Sequence, residues 1–472
     1  MKRIKILTLL LLAGFASSCS DDYLSPEPIS AISADGYYTN DQEIQAAVNN
    51  LYDGLQGIND TRPNSNHGTQ IEYQVTEMRS DNTRTKSSEG EPAQFESFAV
   101  EATNGIVFDY YRSTYNVIFR ANTVLDNLEN ASAEAAKIFE GEAKFVRAYS
   151  YFNLVRLWGP IPLVDRVIGI EEEDVQFTRV DVNTVYNLII SDLQTAESYL
   201  DNGSKGRASK AAAQALLAKV HLTIGNYSDA KTLCESVMSS GFSLQENFKD
   251  VFYNELNSEI IFAIEYIGDL EDESQNMSAE WLNAVGRSSG LNYLTTEAKE
   301  ALDMYGGDRT MYSYRVDSEQ PTQNQVVKYL PNGDESLGIE PTAGDPRFAG
   351  NDWIVLRYAD VLLMHVEAIM AGGASTSDPN ALRSFQEVRD RAGLTDAVAS
   401  ISKEELLRER RVELAFENQR WYDLLRFDIG YSILEQFAAD NGYGFSATDL
   451  LLPFPQYEVN LGGGQLEQNP GY

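Results

Sequence analysis

Over most of the chain, apolar residues recur every three to four positions, and that spacing predicts helices. Residues 41–56 place Ile44, Val48, Leu51 and Leu55 on one face, the pattern of an amphipathic helix packed on a core. The same spacing predicts helices over 109–129, a segment rich in tyrosine, and over 134–158, where Phe145, Ala148, Phe152 and Val155 fall three or four apart. Gly159, Pro160 and Pro162 stop the second of these, because proline lacks the amide hydrogen a helix needs. Further helices are expected over 181–200, 209–224, 228–239, 297–304, 353–371, 378–392 and 402–427. Ser402 and Glu405 open the last one as a capping box, each side chain satisfying an orphan amide at the helix start.

A helix-pair repeat is visible in this series. Ala218, His221, Gly225, Asn226, Tyr227 and Ala230 stand at the spacing of a tetratricopeptide turn, in which a small residue lets paired helices approach and glycine makes the turn. The pairs 134–158/181–200 and 353–371/378–392 are degenerate relatives of it. Stacked pairs bury a continuous core and leave a concave face. The fold class expected is therefore mainly all-α, a superhelix of tetratricopeptide-like helix pairs with long irregular loops and small β-hairpins. Residues 57–108 and 240–352 break the pattern, being rich in Asn, Gly, Ser, Thr and aromatics, with short strand-like runs such as 259–266. Insertions of that length in a compact domain are usually functional, so the binding surface is expected there.

The first residues differ from the rest. Lys2, Arg3 and Lys5 precede an apolar run, 6–16, that is too short to span about 30 Å of hydrocarbon. Small residues then lead to Cys19. This reads as a signal peptide over 1–18, with Cys19 as the lipidated first residue of the exported chain. Residues 19–40 are then a tether and 41–472 a single domain. Removing 1–18 takes three basic residues and no acid, moving the net charge from −34 to −37. A surface so acidic disfavours nucleic acid and anionic headgroups. Cys234 is then the one remaining thiol, expected to be buried and structural, with no disulfide. His221 and His365 sit in predicted helices and are expected in packing roles; no cofactor or metal is implied.

A series of motifs runs from Cys19–Leu24 (CSDDYL) through Tyr115, Ile118, Ala121 and Asn122, then Glu142–Pro162 (EAKFVRAYSYFNLVRLWGPIP), Arg207–Ala213 (RASKAAA), Gly307–Arg309 (GDR) and Leu356–Leu363 (LRYADVLL). It continues with Glu409–Glu417 (ERRVELAFE), Arg420–Leu424 (RWYDL) and the closing Asn469–Tyr472 (NPGY). Together these motifs resemble the SusD/RagB family, nutrient-binding lipoproteins of Bacteroidetes outer membranes. The resemblance implies a non-catalytic lipoprotein on the cell exterior that binds oligosaccharide or polysaccharide. It also implies a partner, a SusC-like TonB-dependent transporter to which the nutrient is delivered. Some family members are associated with peptides, and a tetratricopeptide protein-interaction scaffold is a further alternative.

Sugars lay their C–H faces on aromatic rings while amides, carboxylates and guanidinium groups take the hydroxyls. On that basis Trp281, in an irregular stretch with Asn276, Ser278, Asn283, Arg287 and Asn292, is the candidate ligand platform, with Tyr293 nearby. The first insertion offers Tyr73, Asp81, Asn82, Arg84, Phe95 and Phe98. Trp158, Trp353 and Trp421 fall on helical stripes and are expected to pack. Arg357, Asp360, Glu367 and Arg411 are expected to form charge pairs that lock helices together, in preference to an acid–base pair of a glycoside hydrolase.

Overall fold

The computed structural model describes residues 37–56, 69–85, 90–282, 292–316 and 321–472. Cys19, the signal peptide, most of the tether, His67, Asn283 and Arg287 lie outside these ranges. The fold is mainly helical, as the periodicity predicts. Helices α1 (Asp41–Gln56), α2 (Gly105–Asp126), α3 (Ala133–Trp158), α4 (Val182–Tyr199), α5 (Lys210–Thr223), α6 (Tyr227–Met238), α7 (Tyr358–Met370) and α8 (Pro379–Arg391) form one series. Each packs on the next, and the stack continues from α6 to α7 across the long 240–352 insertion.

The sequence explains how closely the helices approach. Gly225 adopts φ +79°, with nothing within 4 Å of where a Cβ would stand, so its role in the α5–α6 turn is conformational. Ala211, Ala215, Ala218 and Ala230 are fully buried along that pair. At Gly141 a Cβ would come within 2.9 Å of the Leu200 side chain, which is what lets α4 lie against α3. Cys234, His221 and His365 are buried, and Trp158, Trp353 and Trp421 are core residues, in line with their expected packing roles. Among the described residues, no helix is long and apolar enough to cross a membrane.

Two helices depart from the predicted spans. Residues 353–357 form a strand, β4 (Trp353–Arg357), paired antiparallel with β2 (Ile260–Ile264), the strand-like run of the second insertion. A short continuous apolar run reads the same as a buried helix turn, so the helical spacing of α7 extended falsely into it. The segment predicted as one helix over 402–427 is two, α9 (Lys403–Glu413) and α10 (Arg420–Arg426), with Phe416 and Asn418 at φ +67° and +57° between them. The Ser402–Glu405 capping box is present as expected.

The break has a side-chain cause. The Glu413 carbonyl accepts from Lys328 Nζ at 3.0 Å and Arg357 Nη2 at 2.8 Å, and the Phe416 carbonyl accepts from the Tyr329 hydroxyl at 3.1 Å. For these two carbonyls the side-chain donors take the place of helix hydrogen bonds. The carboxylates join the same cluster: Arg357 pairs with Glu417 and Glu413 at 2.6 Å and with Glu259 at 2.9 Å, and Arg309 pairs with Glu409 and Glu413 at 2.7 Å. Asp360 is bound by Lys219 at 2.7 Å and Arg410 at 2.9 Å, and Glu367 by Arg426 at 2.6 Å. The charges expected to lock helices together do so, although Arg357 acts from the end of a strand.

Candidate functional site

The two irregular insertions meet in a ribbon. Strand β1 (Thr83–Thr85), from the first, pairs antiparallel with β3 (Asn292–Leu294), from the second, placing Thr83 opposite Leu294, Arg84 opposite Tyr293 and Thr85 opposite Asn292. Directly opposed residues share a face, and successive ones alternate. Both strands are buried at their ends and half-buried at the centre, so Arg84 and Tyr293 present the outer face together. Inward, Asn292 Nδ2 donates to Thr83 Oγ1 at 3.2 Å, and the Thr295 hydroxyl donates to the Asp81 carbonyl at 2.8 Å.

Arg84 is fixed without being hidden. Its Nε donates to Glu96 Oε1 at 2.9 Å and its Nη2 to the Tyr443 hydroxyl at 3.1 Å, while 36% of its side chain remains exposed. Glu96 is buried; it also receives the Thr85 amide at 2.8 Å and the Tyr443 hydroxyl. Partial burial pulls the Arg84 guanidinium down, yet the Glu96 carboxylate holds it above its ordinary value. Burial raises the Tyr293 phenol, with Arg84 pulling it down and Glu96 pushing it up. Two residues past Tyr443, the ring of Phe445 lies 4.9 Å from Phe98 and 5.2 Å from the exposed Tyr431. The result is a half-open face that offers phenol rings and a guanidinium side by side, with the buried Glu96 carboxylate fixing the guanidinium from behind. Such a face can stack on the C–H side of a sugar ring while donating to and accepting from its hydroxyls.

Two family models match the chain. One, described as starch-binding associating with outer membrane (SusD-like), covers residues 22–222; the other, the SusD family, covers residues 276–472. The chain belongs to the SusD/RagB family. It is 27% identical to SusD-like protein P2 of Formosa agariphila over the whole of both chains. In fold it is similar to a laminarin binding SusD-like protein, with TM-score 0.77 and 24% identity over 92% of this chain and all of the other. It is also similar to surface glycan-binding protein A from Bacteroides thetaiotaomicron in complex with laminarihexaose, with TM-score 0.75 and 19% identity over 91% of this chain and all of the other.

Within this SusD/RagB-family chain, the other residues singled out from the sequence sit inside the protein. Trp281 is 1% exposed; its ring packs 5.3 Å from Tyr73 and 5.8 Å from Phe416 in the core, and the expectation of an exposed platform is corrected. Polar neighbours misled that reading, because they are spent internally: Gln275 Nε2 donates to Ser278 Oγ at 2.6 Å and to the Asn351 carbonyl at 3.2 Å. Tyr73 and Phe95 are fully buried. Asp81 and Asn82 are buried too, and their polar groups serve the fold instead of facing a ligand. Arg420 grips Asp81 through two bonds of 2.7 and 2.9 Å, Arg411 adds a contact of 3.1 Å, and Arg411 Nε donates to Asn82 Oδ1 at 2.9 Å. Against the upward push of burial, Arg411 and Arg420 hold the Asp81 carboxyl well below the usual carboxylate range.

These pairs pin the residues just ahead of β1 to α9 and α10, so Asp81 and Asn82 position Arg84. The sequence reading missed Glu96 and the contribution of 431–445 altogether. The run Gly442-Tyr443-Gly444-Phe445, aromatics alternating with glycine, was the available signal.

Proposed function

We propose that the chain is a cell-surface glycan-binding lipoprotein, anchored through Cys19, that takes up oligosaccharide or polysaccharide at the β1–β3 face and passes it to a SusC-like TonB-dependent transporter. The observation that carries the binding site is the pairing of Arg84 with Tyr293 on one half-exposed face, drawn from the two insertions and bordered by Tyr443 and Glu96. The ligand class is supported by two proteins of the same fold, one binding laminarin and the other holding laminarihexaose. The outer-membrane setting is supported by the family description and by the lipoprotein-like residues 1–19.

In this reading the protein binds without turnover. Glu96, the carboxylate at the face, is already engaged by Arg84, Tyr443 and the Thr85 amide, an arrangement suited to holding a guanidinium in place. Native gels containing laminarin, starch or xyloglucan test the proposal. Retarded migration in at least one of them, with no reducing ends released on incubation, is the expected result. Unretarded migration in all three, or steady release of reducing ends, would overturn it.

A further inference from the structure

The tyrosine-rich helix α2 borders a cavity of about 230 Å³ whose lining shares no residue with the ribbon face. Tyr111, Tyr115 and Phe119 follow one another on α2 at steps of four and supply its aromatic side; Phe119 is 54% exposed. The opposite wall is the segment 164–168.

That wall is built rigidly. Asn122 Nδ2 donates to the carbonyls of Val164 and Arg166 at 2.9 and 3.2 Å, and Arg147 Nη1 to the Asp165 carbonyl at 2.8 Å. The Tyr151 hydroxyl both donates to the Val164 carbonyl at 2.8 Å and accepts its amide at 2.7 Å, and the Val167 amide donates to Asp126 at 2.8 Å. Asp192 in turn holds Arg147 through two bonds of 2.8 and 2.9 Å. A cavity held open this way loses little freedom when a ligand enters.

Both cations of the lining are met by carboxylates. Arg166 is paired with Glu172 and lies 3.4 Å from Asp165. Arg112 acts electrostatically on the half-buried Glu458, and Gln176 adds a neutral amide. With its cations compensated, the site has no surplus positive charge to select an anion. It combines flat aromatic area with donors and acceptors at the rim, which fits a neutral ligand having apolar faces and a hydroxyl edge. Its volume lies below the roughly 300 Å³ at the lower end of drug-sized pockets, a size suited to one or two sugar rings.

We propose that this cavity is a second carbohydrate site, taking a neutral mono- or disaccharide unit such as a chain end or side branch, independently of the ribbon. Saturation-transfer NMR with maltose, laminaribiose, cellobiose and xylobiose, on protein carrying Arg84→Ala and Tyr293→Ala, isolates it from the ribbon. At least one disaccharide should show transfer, weakened about fivefold or more by Phe119→Ala and abolished by Ile168→Trp, which fills the cavity. Both variants should melt as the parent does; if Ile168→Trp does not fold, Gln176→Ala takes its place, with weakening expected. No transfer from any of the four sugars, or transfer unchanged by the cavity variants, overturns the proposal. Failure of the ribbon reading registers separately, as polysaccharide retardation that survives Arg84→Ala and Tyr293→Ala when Ile168→Trp also fills the cavity.

Discussion

Arg84 stands directly opposite Tyr293 in an antiparallel ribbon of three residue pairs, the closing link between two insertions that flank most of the helix stack. Either residue alone is an ordinary surface side chain. Opposed on one face, with Glu96 fixing the guanidinium, they form a small surface on which a ring and its hydroxyls can be met together.

Arg84→Ala and Tyr293→Ala should each weaken binding of a recognised glycan about two- to tenfold, the range expected for loss of one ring or one oriented donor. Because Arg84 is partly exposed and Glu96 keeps the Tyr443 hydroxyl and the Thr85 amide, stability should fall by only about 1–3 kcal/mol. Isothermal calorimetry beside thermal melting checks both halves. Unaltered affinity in both variants would remove the ribbon from the site.

Asp81→Ala should behave oppositely. It leaves Arg411 and Arg420 buried without their carboxylate, and breaking such a pair typically costs about 3–5 kcal/mol. Urea unfolding should show a large fall in midpoint, with glycan affinity lost only as the ribbon loosens. A midpoint within experimental scatter of the parent would show that the pairs do not hold β1 in place.

Trp281 is a packing residue, and its substitutions should say so. Trp281→Ala empties a site in the core between Tyr73 and Phe416 and should cost about 3–5 kcal/mol. The indole N–H has no partner among the described residues, so Trp281→Phe should retain most of the stability. Comparable melting temperatures for Trp281→Ala and the parent would contradict the burial argument.

Three carboxyls set a pH dependence. Burial pushes Glu72 and Glu77 up from 4.5, and Asp352 up from 3.8, to about 7, so the folded state keeps protons that the unfolded chain releases. Their contribution is therefore full below about 4 and is lost as pH rises through about 7. Asp81 and Glu413, held low by arginines, have the opposite sign but act only in strong acid. The melting temperature should be several degrees higher at pH 5 than at pH 8, and Glu72→Gln, Glu77→Gln and Asp352→Asn together should flatten that difference. A melting temperature that rises between pH 5 and 8 would contradict the assignment.

Under the proposed anchoring, Cys19→Ala should release the protein from the membrane fraction, since stable anchoring takes two or more acyl chains. Fractionation with palmitate labelling is the measurement. Retention of the variant in the membrane would point to an anchor other than that cysteine.

Helix existence was legible because a 3.6-residue stripe is a local property. α1 spans Asp41–Gln56 as its apolar face dictates, and Gly225 marks the turn between α5 and α6. The break at 414–419 was not legible, because its causes, Lys328, Arg357 and Tyr329, come from other parts of the chain. The site was half legible for the same reason. Composition located the two insertions and included Arg84 and Tyr293, but polar surroundings in sequence do not tell an exposed ring from a buried one. Trp281 has polar neighbours that bond among themselves, and Asp81 looks hydroxyl-directed until Arg420 is seen beside it.

The ribbon also fixes when a binding face comes into being. Its strands are 209 residues apart in sequence, and so distant a contact forms only after the intervening chain has ordered, since loop closure must be met before pairing stabilises anything. α2 to α6 all lie between the two strands. Under the proposed function, the chain therefore orders α2 to α6 before it gains a binding face. Ligand capture would then report that this part of the fold is in place.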